Sequence, residues 1–577
     1  MKIKHIALSL LAGLGLTACG DMDFHEYKVD DEDYIKETFG NVGGFMTYIY
    51  RDLDSDFGQF SGACQASATD EAVYSHQGNT VETYYNGQWS PTTATGSNTW
   101  TRCWDGIAYC NLVLDKFTGL TFSDYEIDRK YKDEMEKYNN YQWECRFMRA
   151  YFYFQLVRQY GGVPLKINDM DADAANALPR VPADTIFKFI DDECYAIKDT
   201  IVKDYATAFP NLGLTENGRA NNLAVLALRA RAALYHASPL FTEGKSEAEV
   251  KELWHQAALR TWECISECRT RGMSLASDYS KLFNADNWSN ADALKEIIFA
   301  TRNAASNSFE KYNFPIGMEN AGGGNCPTEN LVSAYETKNG LSIDEDPTYD
   351  SQNPYANRDA RLAMTVAVNG EHYPDALNVS ALETFYGGVN SRSVAYGTPT
   401  GYYLKKYLNK ETVIGASNAT SGRHNWVLFR LGGLYLDYAE AMIQYTGSGY
   451  ATADGLTLSA ADAINLVRKR AGQPNIATGL SKDDFYKRYQ NERFVELAFE
   501  GHRFFDVRRW KQGKEYFENI KVCEITKAAD GTLTFKTVTN PSYITKRTWA
   551  GDHYNLSPIP QSEILKAGNL EQNPGWN

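Results

Sequence analysis

After its first residues this chain has no apolar run that approaches the ~20 residues a membrane-spanning helix needs. It has no excess of positive charge either: the net charge is −15, which argues against nucleic acid as a partner, since such proteins need a basic footprint. It has no CxxC pair, no HExxH and no GxSxG, and its nine histidines are scattered without ligand spacing. Cys264 and Cys268 lie one helical turn apart, but no His or Cys partner is near enough in sequence to complete a zinc site. Metal, cofactor and nucleophile chemistry therefore have no motif here.

What is present begins at the N-terminus. Lys2 and Lys4 precede an apolar run, Ile6 to Leu16, of only 11 residues. A basic start, a short apolar run and small residues predict a signal peptide over 1–18. The run leads through Thr17 and Ala18 into Cys19, which resembles the lipobox of bacterial lipoproteins. That resemblance implies cleavage before Cys19 and its acylation, an outer-membrane anchor made of several acyl chains. Asp21 and Asp23 resemble the acidic export tag of surface lipoproteins in Bacteroidota. Residues 19–40 read as a lipidated, acidic tether.

From 41 to 275 helical spacing dominates. It predicts helices over Trp100–Phe117, Tyr141–Tyr160, Pro182–Ile201 with Asp184 as N-cap, Asn221–Ala237 and Val250–Arg271. Ala227, Ala230, Ala233 and Ala237 leave room for a second helix, which suggests tetratricopeptide-like hairpins without a strict period. Between 276 and 425 Gly, Asn, Ser and Pro rise and the helical stripes fade. "EIIFA" (296–300) reads as a buried strand and "NAGGGN" (320–325) as a flexible loop. Such a long irregular insertion is usually functional. From 426 to 577 helices return, first as an apolar stripe from Val427 to Met442, then over Ala460–Ala471 and Lys482–Phe499. "AADG" (528–531), between "KVCEIT" and "TLTFKTV", predicts a hairpin.

Glu492, Glu496 and Glu500, at i, i+4 and i+8, share one helical face. They could serve acid–base or metal chemistry. Arg503, Arg508 and Arg509 follow at once, so ion pairing at a helix end is the better reading. Asp437 and Glu440 read the same way. A glycosidase would need two opposed carboxylates across a cleft, which a row on one face does not supply.

Aromatics in polar, non-helical segments suit sugar rings, whose C–H faces stack on flat side chains while polar neighbours bond the hydroxyls. Tyr84, Tyr85 and Trp89 lie in one such segment, Trp288 in a second, and Phe309 and Tyr312 in the insertion.

A series of blocks resembles the SusD/RagB family of outer-membrane nutrient-binding lipoproteins. They are the lipobox, "WDGIAYCNLVLDKF" (104–117), "ECRFMRAYFYFQLVRQYGGVPL" (144–165), "PTENLVSAYE" (327–336), "NRDARL" (357–362), "RLGGLYLDYAEAMIQY" (430–445), "INLVRKRAG" (464–472), "ERFVELAFEGHRFFDVRRW" (492–510) and "LSPIPQSEILKAGNLEQNPGW" (556–576). The resemblance implies one mainly α-helical SusD-like domain over 41–577, a helical-hairpin superhelix with a loop-rich insertion and small β-hairpins. It implies no catalysis, no cofactor and no metal. It implies a partner, a SusC-like TonB-dependent transporter, and an oligosaccharide ligand, or a peptide as in the RagB branch; a surface glycoside hydrolase is the remaining alternative. Ligand contacts in the family come from the windows 70–100 and 301–326 here. They nominate Trp89, Tyr84, Tyr85, Tyr312 and Phe309, with Trp288 just outside, and Asp70, Asn86, Arg302 and Asn325 as polar partners.

Overall fold

Alanine on facing sides decides how the central helices meet. The computed structural model describes residues 32–576 apart from 94, 214–217, 284–285 and 375–379. The expected signal segment, Cys19 and residues 19–31 of the tether lie outside the described residues. The larger helices of the first half are α1 (Phe39–Arg51), α2 (Thr99–Lys116), α3 (Tyr131–Tyr160), α4 (Ala183–Ile197), α5 (Asn222–Ala237) and α6 (Glu247–Thr270). After the insertion come α7 (Leu431–Thr446), α8 (Ala460–Arg470), α9 (Lys482–Glu496) and α10 (Arg503–Arg509). From α2 to α8 each helix packs on the next. Ala227, Ala230 and Ala237 of α5 are buried, as are Ala257 and Ala258 of α6. With so little side chain between them the two backbones approach closely. The mainly α scaffold is thus as the sequence reads.

Helix ends show which signals worked. Asn221 caps α5, its side chain accepting from Ala224 N, and Ser246 and Glu249 form a capping box on α6. Asp184 does not cap α4; it sits in the first turn and accepts from His236 Nε2 and Lys245 Nζ. Helix α3 starts ten residues earlier than its apolar spacing predicts. Those first turns, "YKDEMEKYNN", are mostly polar and bury Asp133, Tyr138 and Asn140, with Asp133 and Glu134 in the first turn where the helix dipole favours acids.

Among the described residues ten short strands pair two by two: β1 (Ala72–Tyr74), β2 (Ile297–Ala300), β3 (Ala305–Ser306), β4 (Asn325–Pro327), β5 (Val366–Ala367), β6 (Tyr403–Leu404), β7 (Gly422–Arg423), β8 (Val427–Arg430), β9 (Lys521–Lys527) and β10 (Leu533–Thr539). The pairs are β1–β4, β2–β8, β3–β7, β5–β6 and β9–β10, all antiparallel. β2 is the predicted buried strand, and β9–β10 the predicted hairpin. β8 takes the first residues of the stripe expected to be helical: Val427 and Phe429 pair with Ala300 and Phe299 of β2, and α7 begins only at Leu431. A strand-to-helix junction there places Arg430 at the centre of the molecule. The insertion packs as a second apolar cluster around Tyr335, Tyr403, Tyr407 and Trp426.

Candidate functional site

The glutamate row is the first candidate, and it is a structural core. Helix α9 ends at Glu496, so Glu500 lies beyond the helix, past Phe499 at φ 61°. All three carboxylates are buried. Glu492 accepts from Arg361 and Arg468, and Glu500 from Arg430 and Lys406. Glu496 receives Arg361, Arg430 and Arg470. Burial pushes the Glu496 carboxyl up, but Arg470, Arg430 and Arg361 outweigh it and hold it well below the usual carboxylate range. Asp437 bonds Arg231 and Arg493, and Glu440 bonds Arg509, Trp510, Tyr486 and Tyr489. Each of these carboxylates is enclosed by donors and turned away from solvent. Among the described residues no group of three or more His, Cys, Asp or Glu is placed to hold a metal ion. The nine cysteines of the described residues are all buried and free.

The loop windows behave differently. β1 pairs with β4 in the register Ala72↔Pro327, Val73↔Cys326 and Tyr74↔Asn325. The pairing continues as Ser75 N donates to Gly324 O at 2.9 Å and His76 Nε2 to Gly322 O at 2.7 Å. The segments after 70 and before 327 are therefore one surface. "NAGGGN" is packed rather than open. A Cβ on Gly323 would collide with Tyr396 O, and one on Gly324 with Tyr312 O and Asn313; both glycines have positive φ. Only glycine lets three chain segments meet there.

At that meeting point a stack of rings runs from buried Tyr74 through half-buried His76 to exposed Tyr396. His76 lies between Tyr74 (centroids 5.2 Å, 25°) and Tyr396 (4.0 Å, 11°). Tyr396 is 57% exposed and Tyr312 42%. The Tyr312 ring lies across Gly62 from the Tyr74 hydroxyl. Ser61, Asn320 and Tyr396 all have φ between 55° and 65°. For a bulky ring such a backbone costs on the order of 1–3 kcal/mol, and strain of this kind collects at functional sites. Nearby, Arg392 packs on Tyr543 (4.2 Å) and Tyr386 (4.7 Å). Gln77, next to His76, donates to Tyr543 O at 2.7 Å and so ties the two groups together.

Of the residues nominated from sequence, Tyr312 belongs to this platform. Asn86 is half-buried, its side chain accepting from Gln88 N. Trp288 donates to Thr301 O and lies beside exposed Arg302 at Gly218. The other six nominations are corrected, because their side chains are buried. Tyr84 packs edge-on against Trp89 and Phe504. Tyr85 lies under Arg547, and Trp89 is wedged among Tyr84, Tyr554 and Trp576. Phe309 packs on Phe57. Asp70 takes both Nε and Nη2 of Arg503. Asn325 accepts from Cys64 N and Ser67 Oγ and donates to Gly62 O and Asn313 Oδ1. Their buried side chains are walls of the core, not part of the platform. The windows 70–100 and 301–326 meet at this junction, and His76, Tyr396 and Tyr386 join it without being nominated from sequence. The 389–396 loop, "VNSRSVAY", offered one signal, an aromatic in a polar segment.

A concavity of about 330 Å³ lies elsewhere, between Trp100, Trp104, Lys166 and Glu563. Its tryptophans belong to α2 and pack on Tyr160 and Tyr153 of α3. It is a feature of the scaffold, whereas the ring stack joins β1 to the loops that carry His76 and Tyr396.

Two sequence profiles match the chain. One, described as the SusD family, covers residues 295–576; the other, described as starch-binding associating with outer membrane, covers 30–234. The starch-binding protein SusD of Bacteroides thetaiotaomicron is 24% identical, across 91% of this chain and 86% of that one. Among solved structures, a SusD-like protein of Bacteroides fragilis superposes with a TM-score of 0.73 at 22% identity, covering 94% of this chain and 98% of the other. A SusD-like carbohydrate binding protein of the same species gives 0.72 at 22% identity, covering 93% and 100%.

Proposed function

The chain belongs to the SusD family, and from that premise we propose that it captures glycan at the cell surface without catalysis. In this reading it is held on the outer membrane by acylated Cys19, and the tether expected over 19–40 is shortened, because Glu32–Lys36 is helical and Ile35 is buried in the core. It passes oligosaccharide to a SusC-like TonB-dependent transporter. The observation that supports capture is exposed Tyr396 stacked on half-buried His76 above buried Tyr74, with exposed Tyr312 nearby. Flat rings at a solvent-facing junction can stack on the apolar faces of sugars. Trp288, Arg302 and Asn86 are proposed as outlying contacts. The role assigned to the glutamates is ion pairing, so no acid–base pair is proposed. Binding at one site is weak, because each sugar hydroxyl must exchange water for a protein partner. A capture protein tolerates that, since release must follow.

Affinity gel electrophoresis against a polysaccharide panel tests the reading. Retardation by at least one polymer is expected, weakened in Tyr396→Ala and Tyr312→Ala. Retention of peptides with no glycan bound, or hydrolysis of any polymer by the pure protein, would overturn it.

A further inference from the structure

We propose that the glycan captured here is acidic, and that Arg392 receives its carboxylate or sulfate group. This rests on the capture reading above and narrows it. Arg392 stands four residues before Tyr396, on the same exposed loop. Its guanidinium packs on the rings of Tyr543 and Tyr386 and forms one loose ion pair, with Glu524. One hydrogen bond is made, Nη2 to Glu524 Oε1, and at 3.4 Å it is long. A guanidinium has five N–H donors. The others make no hydrogen bond among the described residues, and the side chain is 33% exposed.

The rings fix the plane of the cation before a ligand arrives, which lowers the ordering cost of binding. A fork of parallel N–H groups matches a carboxylate or a sulfate, whose oxygens accept two bonds at once. A neutral hydroxyl would use one donor and leave the charge unanswered. The surroundings have the same sign. In a chain of net charge −15, residues 521–546 hold four lysines against two acids. One of those lysines, Lys527, lies 4.6 Å from the ring centre of Phe385, next to Tyr386. Tyr386 N donates to Ile525 O, so this patch and the Arg392 loop are joined. Glu524 is the only carboxylate bonded to Arg392 among the described residues, and Tyr543 Oη shares it at 3.0 Å. It acts as a placeholder for the incoming anion.

The test uses purified mature protein in affinity gels with polygalacturonate for carboxylate, carrageenan for sulfate, and amylopectin and galactomannan as neutral polymers. Retardation by polygalacturonate or carrageenan is expected, and whichever is retained identifies the anion. Arg392→Gln should weaken that binding at least tenfold, and Arg392→Lys less, because charge remains without the fork. Glu524→Gln should tighten it severalfold by removing the competitor. A purely structural role for the pair predicts the opposite, a looser loop and weaker binding. If neutral polymers alone are retained, and equally by Arg392→Gln, the acidic proposal fails while glycan capture stands. If no glycan of either kind is retained, both fail.

Discussion

Arg430 Nη1 and Glu496 Oε1 lie 2.7 Å apart, with 2% and 0% of their side chains exposed. Neither charge stands alone. Arg430 also bonds Glu296 and Glu500, and Glu496 also holds Arg361 and Arg470. The network joins β8, the end of α8, the end of α9 and the insertion at one point. Burying isolated charges costs several kcal/mol each, and mutual pairing with complete hydrogen bonding offsets that cost. The consequence is fragility to single changes. Glu496→Gln leaves three arginines short of a carboxylate, a loss of about 3–5 kcal/mol by the measure of broken buried pairs. Thermal denaturation should show a drop of several degrees or a failure to fold. A melting point within one degree of the parent would refute this account.

Much of the scaffold was legible because helices announce themselves twice, by apolar spacing and by caps. The alanines of α5 carry the spacing signal, whereas the one cap read from sequence, Asp184, is not a cap, and α6 starts at Glu247, three residues before Val250. The polar start of α3 carries neither, since Lys130 makes no side-chain cap and the buried Asp133 and Asn140 give no apolar stripe to read. Val427 and Leu428 misled because an apolar run fits a buried strand as well as a helix, and only its partner Ile297–Ala300 decides. The site was less legible. Burial depends on long-range packing, so Trp89 and Tyr84 looked like surface aromatics until the C-terminal Tyr554 and Trp576 covered Trp89.

That difference separates two classes of mutant. Trp89→Ala removes a ring packed by three others and leaves a cavity, at about 3–5 kcal/mol. The melting temperature should fall, and the protein that stays folded should bind as before. Tyr396→Ala should do the reverse. Stacking lost from an exposed ring is worth about 1.4 kcal/mol, a tenfold weaker Kd, with the melting temperature nearly unchanged. Calorimetric titration and a melt on both variants check this. Equal melting losses in the two would contradict the assignment of wall and platform.

Anchoring makes an independent prediction at the other end of the chain. A single acyl chain binds membranes only marginally, whereas several hold firmly. Cys19→Ala expressed in a native-type host should leave the membrane fraction and appear as soluble protein. Fractionation followed by immunoblotting reads it. Membrane retention equal to the parent would remove the lipoprotein assignment.

Glu71 gives the chain a pH dependence of definite sign. It is buried next to the Asp70–Arg503 pair, with Phe499 N donating to one oxygen at 2.9 Å. Burial is the largest influence and lifts its carboxyl from the ordinary 4.5 to about 7; the Phe499 bond pulls the other way. In the unfolded chain the group loses its proton near pH 4.5, while the folded chain keeps it until about pH 7. The folded state therefore binds more protons between those values, and stability falls as pH rises through that window. Glu71→Gln keeps the acceptor for Phe499 N and cannot ionise. It should leave the melting temperature near pH 4.5 unchanged and raise it at pH 8, where the removed cost is on the order of 3 kcal/mol. Melts of parent and variant across that range read the difference directly. A gap that shrinks toward pH 8, or a variant less stable at every pH, would show that Glu71 is ionised in the folded protein and held by its neighbours.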